Sequence, residues 1–169
     1  MRMNKGVEWA VHACSVLAPL APGHGLSLAA LAQFHGVPLA YMAKQMQLLS
    51  RAGIVATSRG KTGGYRLARL PREISLWDIT RAVDGTEPMF RCTEIRQQGP
   101  CASSRAECAM ACPIARAFAG AEQAFRDALK GVTLEAIVLS TGEQVSSGHL
   151  AEIFDWLNHN VTALPQEAR

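Results

Sequence analysis

No stretch of roughly 18 uninterrupted apolar residues occurs in this chain, so no segment reads as a membrane span. The nearest approach, Val7 to Leu20, is broken by Glu8 and His12 and is followed by no clean small-residue cleavage site, which argues against a secretory leader. There is no repeat, no low-complexity tract and no Cys-x-x-Cys pair. No nucleophile–base pattern or substrate-binding fingerprint stands out either, so an enzyme, thiol oxidoreductases included, is not the expectation. Gly60-Lys61-Thr62 has the tail of a phosphate-binding loop, but Val55 stands where that loop needs its first glycine, and the run lies between strands. The sharpest shortage is of acids: Glu8 is the only one in residues 1–72.

Against that single acid the same residues hold nine Lys/Arg, giving +8, whereas residues 73–169 hold eight basic and thirteen acidic residues, giving −5; together they make the +3 of the whole chain. A basic half joined to an acidic half suggests a polyanion-binding module on a different kind of body, with a solvated basic face as the plainer reading. At 49% hydrophobic and 18% charged the chain is an ordinary globular one, able to build a core without disulfides. A reducing cytoplasm is the expected compartment.

Gly6 to Leu20 reads as a first helix, apolar nearly all round and therefore buried on more than one side, ended by Pro19, Pro22, Gly23 and Gly25. Ser27 caps a short helix stopped by Gly36. Pro38 opens the next, which runs to Ala52, with Leu39, Met42, Met46 and Leu49 recurring at helical spacing while Lys44, Gln45 and Arg51 point elsewhere. Two helices joined by a few residues with a glycine have helix-turn-helix spacing. Residues 54–59 then alternate like a strand, 60–64 turn, and 65–67 alternate back, which makes a two-stranded wing. The expected fold is thus mainly α: a winged helix-turn-helix with a two-stranded wing.

Further on, Ser75-Leu76-Trp77-Asp78 is a capping box opening a helix to Val83. Residues 86–111 have no period and read as a loop. Pro113 starts a long helix with Ile114, Phe118, Ala121, Phe125 and Leu129 on one face, able to pack within the chain or against its own copy. Shorter helices are expected over 134–139 and 149–157, with a loose tail after Pro165.

Four of the five cysteines fall in the loop: Cys92, Cys101, Cys108 and Cys112, spaced C-x8-C-x6-C-x3-C-P. This matches neither a zinc ribbon nor a ferredoxin run. Cys112 precedes Pro113 at a helix N-terminus, where the helix dipole favours thiolate. Cys101 and Cys108 are spare thiols or replacement ligands, and Cys14, about 200° round the first helix from His12, reads as core. Glu8 and His12, at i and i+4, share a helix face. In an otherwise apolar helix an unpaired carboxylate is costly to bury, so they form a Glu–His pair, a salt bridge or half of a ligand set.

The run Tyr41-x-x-Lys44, Leu49-x-x-Ala52-Gly53-Ile54-Val55 and Arg59-Gly60-x-x-Gly63-Gly64-Tyr65-x-Leu67 resembles the Rrf2 family of bacterial winged-helix regulators, over residues 1 to about 135. The resemblance implies a homodimer, a long dimerisation helix and often an iron–sulfur cluster near the cysteine loop. The usual cluster pattern in that family has three cysteines about six residues apart, which the intervals here do not match. Gly6-Val7-Glu8-Trp9-Ala10-x-His12, Cys92-Thr93-Glu94-Ile95-Arg96 and Ala111-Cys112-Pro113-Ile114-Ala115-Arg116-Ala117 are more similar to a redox-sensing branch. There a [2Fe-2S] cluster is held by Glu, His and two Cys, which implies Glu8, His12, Cys92 and Cys112 here.

That resemblance implies a redox-responsive, DNA-binding transcription regulator, a repressor by expectation, with a zinc or thiol-disulfide sensor using Cys101 and Cys108 as the alternative. Two thiolates, a carboxylate and a neutral imidazole leave a cluster less negative than four thiolates would, which eases its reduction. Ligands drawn from two protomers would let the cluster state move the first helix and Trp9, and so reset the spacing of the recognition helices. The expected DNA contacts are Ala40, Tyr41, Lys44 and Gln45 at the start of the recognition helix, with Arg59, Lys61 and Thr62 on the wing. Tyr41 could instead be core. The expected division is a DNA-binding domain over 1–72, cluster loop and dimerisation helix over 73–139, and a C-terminal helix and tail over 140–169.

Overall fold

In the computed structural model of the chain, residues 3–58 and 63–164 are described. Helix α1 spans Lys5–Leu17, capped by the Asn4 side chain, which accepts the Gly6 N–H at 2.9 Å. It ends three residues earlier than expected because Ala18 caps it and Pro19 cannot extend it. One stripe is buried, made of Gly6, Val7, Ala10, Ala13, Cys14 and Leu17, while Glu8 and His12 are exposed. The helix is therefore buried along one stripe rather than on more than one side as its composition suggested.

A short strand, β1 (His24–Leu26), leads into α2 (Leu28–His35), whose N-cap Ser27 accepts the Ala30 N–H at 3.0 Å and whose C-cap Gly36 is left-handed at φ 61°. Helix α3 (Leu39–Arg51) follows, then β2 (Val55–Ser58) and β3 (Gly64–Leu67). Met42, Met46 and Leu49 on α3 are fully buried, whereas Leu39 is 52% exposed. Helix α4 (Leu76–Asp84) begins at the expected Ser75–Asp78 box, α5 spans Pro113–Lys130, and α6 (Leu134–Gln144) and α7 (Ser147–Asn160) run longer than their periodicity showed. Between α4 and α5 the chain is loop and turns apart from a single-turn 3-10 helix at Ile95–Gln97.

The sheet is larger than a two-stranded wing. A last strand, β4 (Val161–Ala163), completes an antiparallel sheet in the order β2-β3-β1-β4. Val161 and Ala163 pair with Leu26 and His24 across β1, and Leu26 faces Tyr65 on β3. Strands β1 and β3 approach closely: a Cβ on Gly25 would sit 2.6 Å from the Tyr65 carbonyl oxygen, so only glycine fits. The segment expected as a C-terminal helix and tail thus returns to the sheet of the first 72 residues. Trp156 on α7 also packs edge-on to Phe34 on α2, ring centroids 4.9 Å apart. The stretch after Pro165 lies outside the described residues. Short strands with little alternation hid β1 and β4 from the sequence.

The core lies where α1 meets α2, α3, α4 and α6, with Leu26, Leu31, Ile54, Ile74, Ile79 and Leu134 fully or almost fully enclosed. Cys14 is wholly buried there, and burial pushes its thiol up to about 12, which keeps it neutral and out of metal chemistry. Among the described residues no helix is long and apolar enough to cross a membrane.

Candidate functional site

Helix α3 presents its outer face beside the sheet. Ala40, Lys44, Gln47 and Arg51 step by four, three and four, so they share one face. With Ala43, Ser50, Thr57 and Tyr65 they line an open groove of about 560 Å³. Lys44, Gln47 and Arg51 are exposed, with no acid among the lining residues. A cationic helix face flanked by a hairpin can take a phosphate backbone and admit base edges.

Of the four residues expected on this helix, two line the groove, one lies exposed beside it and one is turned inward. Lys44 and Ala40 lie in the groove, and Tyr41 is 57% exposed beside it rather than core. Gln45 is only 3% exposed: its amide faces α1, where a Cβ on Gly6 would meet it at 2.8 Å. The expectation that Gln45 points outward to DNA is therefore corrected, since residues 42, 45, 46 and 49 form the buried stripe of α3. Gln47 and Arg51 were missed, although their spacing from Lys44 marks the face. Arg59, Lys61 and Thr62 lie outside the described residues.

The exposed side of α1 carries Glu8, Trp9 and His12. Trp9 meets Tyr41 edge-on, centroids 5.6 Å apart, so α1 touches the first turn of the recognition helix through two aromatic rings. The His12 ring lies 5.7 Å from that of His35, the last residue of α2, whose Nε2 is buried without a hydrogen-bond partner. Burial first, then the neighbouring His12, holds the His35 imidazole below its ordinary range. Nothing in the sequence flagged His35, since it reads as an ordinary C-terminal helix residue.

The cysteine loop is pinned to α5. Phe90 stacks on Phe118 with centroids 4.5 Å apart and planes 12° from parallel, and the Met89 N–H donates to Glu122 at 3.0 Å. Glu122 also pairs with Arg126, whose guanidinium lies 5.2 Å from the Trp77 ring centre on α4. Beyond this anchor Cys92 is exposed, and its Sγ accepts the Glu94 N–H at 3.4 Å. Cys101 is exposed, and Cys108 and Cys112 are half-buried. The Arg96 guanidinium bonds both Glu94 carboxylate oxygens, at 2.5 and 2.9 Å, and the Met110 carbonyl at 3.1 Å. The Glu94 bond holds Arg96 charged above the ordinary arginine range, opposed by desolvation and assisted by Cys108, and the same bond lowers Glu94.

Of the four expected ligands, Glu8 and His12 sit together on α1, while Cys92 and Cys112 stand at the two ends of the loop before α5. Among the described residues no group of three or more His, Cys, Asp or Glu side chains is gathered within one chain. Helix α5 buries none of its residues, and Ile114 and Phe118 are 60% and 52% exposed.

The sequence profile of the Rrf2 family, described as an iron-dependent transcriptional regulator, matches residues 3–140. The chain belongs to the Rrf2 family. Protein aau3 of Rhizobium meliloti is 32% identical over 141 residues, covering 82% of this Rrf2 chain and 85% of that protein. An rrf2-like HTH-type transcriptional regulator of Rhodobacter capsulatus is 30% identical over 110 residues, covering 65% and 72%. Among solved structures, CymR (YrzC), the global cysteine regulator of B. subtilis, superposes with a TM-score of 0.63 at 21% identity, covering 83% of this chain and 98% of that one. That likeness carries the fold, a winged helix. Family and fold are those of DNA-binding transcription regulators rather than enzymes.

Proposed function

We propose that this Rrf2 chain is a redox-responsive repressor that binds an operator as a homodimer and senses through a [2Fe-2S] cluster. Glu8 and His12 of one copy and Cys92 and Cys112 of the other would hold the group. The donor set fits: two thiols, a carboxylate and an imidazole are all at least partly accessible, and among the described residues no three of them gather within one chain. Each pair is incomplete, and a second copy placed along the bare apolar face of α5 supplies what is missing. Bound there, the group supplies a one-electron couple.

The observation that carries this reading is the contact of Trp9 with Tyr41, because it joins the helix bearing Glu8 and His12 to the recognition helix. A change in what Glu8 and His12 hold shifts α1 along its exposed side. Trp9 then presses on or releases the first turn of α3, and Lys44 moves with it. Two such helices in a dimer must match half-sites about one DNA turn apart, so a small rotation of each costs affinity. The groove of Lys44, Gln47 and Arg51 supplies the phosphate and base contacts.

Anaerobically purified protein is expected to be coloured, with iron and acid-labile sulfide in equal amounts, and to shift a cognate operator fragment in one redox state only. A colourless protein containing zinc, or one whose response follows a disulfide between Cys101 and Cys108, would replace this reading with the thiol-based one. Glu8→Ala and His12→Ala should each abolish the redox response while leaving the fold intact by circular dichroism. Unchanged response in both variants sinks the ligand assignment.

A further inference from the structure

Arg96 occupies a place that neither the DNA-binding face nor the four donors account for. Its two polar partners lie symmetrically about the cysteine run: Glu94 stands two residues after Cys92, and Met110 two residues before Cys112. One guanidinium therefore bridges both ends of a loop about twenty residues long. Its own carbonyl accepts the Ser103 N–H at 2.8 Å, which ties the middle of the loop to the same point. Of the cationic side chains nearby, Arg91 pairs with Glu87 on the surface and reaches neither end.

The backbone at Glu94 is shaped for the same purpose. Glu94 is the one non-glycine residue with positive φ among the described residues, at 52°, and its N–H donates to the Cys92 sulfur at 3.4 Å. A non-glycine residue stays in that region only where its surroundings hold it, and the paired bonds from Arg96 do so. A planar fork can grip a carboxylate with two bonds while bonding a carbonyl; an ammonium cannot reproduce that geometry.

We propose that Arg96 is a positioning residue: its guanidinium clasps the two cysteine-bearing ends of the loop at a fixed separation and places a positive charge beside the bound cluster. The inference rests on the cluster reading above. A cation and an N–H donor near the sulfurs both favour the reduced, more negative state, so the clasp raises the reduction potential as well as shaping the site.

The test compares Arg96→Met, which loses fork and charge, with Arg96→Lys, which keeps charge alone, and with Arg91→Met as a surface control. Iron release to a chelator under anaerobic conditions should be about tenfold faster in both Arg96 variants and unchanged in the control. In a redox titration Arg96→Met should lower the reduced-to-oxidised ratio about tenfold at fixed potential, a shift of about 59 mV for one electron. Arg96→Lys should stay within about threefold of the parent. Amide hydrogen exchange on the metal-free chain should rise in Arg96→Met at residues 92–95 and 108–112 together. Retained iron and an unchanged potential, or loosening at one end only, would overturn the clasp. Absence of iron and sulfide from the parent protein would instead overturn the cluster reading, and the exchange experiment would still decide whether the loop is clasped.

Discussion

Helices α1 and α5 are both amphipathic, and they finish their apolar faces differently. Helix α1 buries Val7, Ala10, Ala13, Cys14 and Leu17 to 4% exposure or less against its own chain, while α5, five residues longer, buries none. The polar sides differ too: α1 shows Glu8 and His12 to solvent, and α5 uses Glu122 and Arg126 to pin the loop that carries Cys92. Helix α1 is thus complete as a packing element and, on the proposed reading, carries half of a donor set. For α5 the packing itself is unfinished. On the reading proposed above, one second copy meets both shortfalls, which would make assembly and sensing one event.

Breaking the α5 side should have the largest effect. Phe118→Asp places a charge on the bare face of α5 in each of two copies, and in a two-fold interface every substitution counts twice. The dimer should dissociate by at least a hundredfold, read by sedimentation at micromolar concentration, with operator binding lost in parallel. Thermal stability of the winged-helix core should hardly change, because Phe118 is 52% exposed and stacks on Phe90 of the loop rather than in the core. A dimer that survives would mean that α5 is not the shared face.

Gly6→Ala attacks the α1 side. The new Cβ would lie 2.8 Å from the Gln45 amide, which is buried at the α1–α3 contact with Oε1 unpaired. Helix propensity favours alanine by about 1 kcal/mol, whereas overpacking costs about 1–3 kcal/mol, so net destabilisation of about 1 kcal/mol is expected. Shortening the partner in the Gly6→Ala/Gln45→Ala double variant should recover stability beyond the sum of the single changes. Additive effects by denaturant unfolding would show that the two residues do not press on one another.

Lys44→Ala sharpens the contrast by touching DNA alone. Losing one phosphate contact should lower the slope of log affinity against log salt by about one unit and weaken binding about evenly across sequences. Loss confined to one base pair would make Lys44 a base reader instead.

Much of the architecture was written locally in the chain. Ser27 and Gly36 delimit α2, Ser75 and Asp78 start α4, and Pro113 starts α5, because caps and proline act within a turn of themselves. Strands β1 and β4, three residues each, were not legible, since they exist through pairing partners more than a hundred residues apart. Gln45 was misread for a related reason: a polar residue on the stripe of Met42, Met46 and Leu49 reads as outward until Gly6 is seen to leave room for it. His35 next to His12, and Arg96 between Glu94 and Met110, are meetings of distant residues that no spacing announces. The four candidate donors were nameable one by one, but only the structure shows that no three of them gather within one chain among the described residues.

The smallest expected effect lies at Asp78, on the helix that joins the two regions. Helix α4 packs on α1 and also carries Trp77 against Arg126 of α5, so its first turn bears on both. Asp78 accepts the Ser75 N–H at 3.0 Å and the Ser75 hydroxyl at 2.8 Å, and donates its own N–H to Ser75 at 3.1 Å. Burial alone would raise the carboxyl, but the two Ser75 bonds, then Arg69 and Arg81, outweigh it and hold Asp78 below its ordinary 3.8. A carboxylate with a depressed folded value stabilises the fold above its unfolded value and loses that contribution as pH falls through the folded one. Asp78→Ala should therefore cost about 1 kcal/mol near neutrality. The gap from the parent should begin to close below about pH 4 and shrink further as the folded carboxyl protonates. A gap that stays constant to pH 2 would assign the cap to uncharged hydrogen bonding. A gap that appears in dimer dissociation but not in unfolding would place the work of α4 at the α5 side rather than in the core.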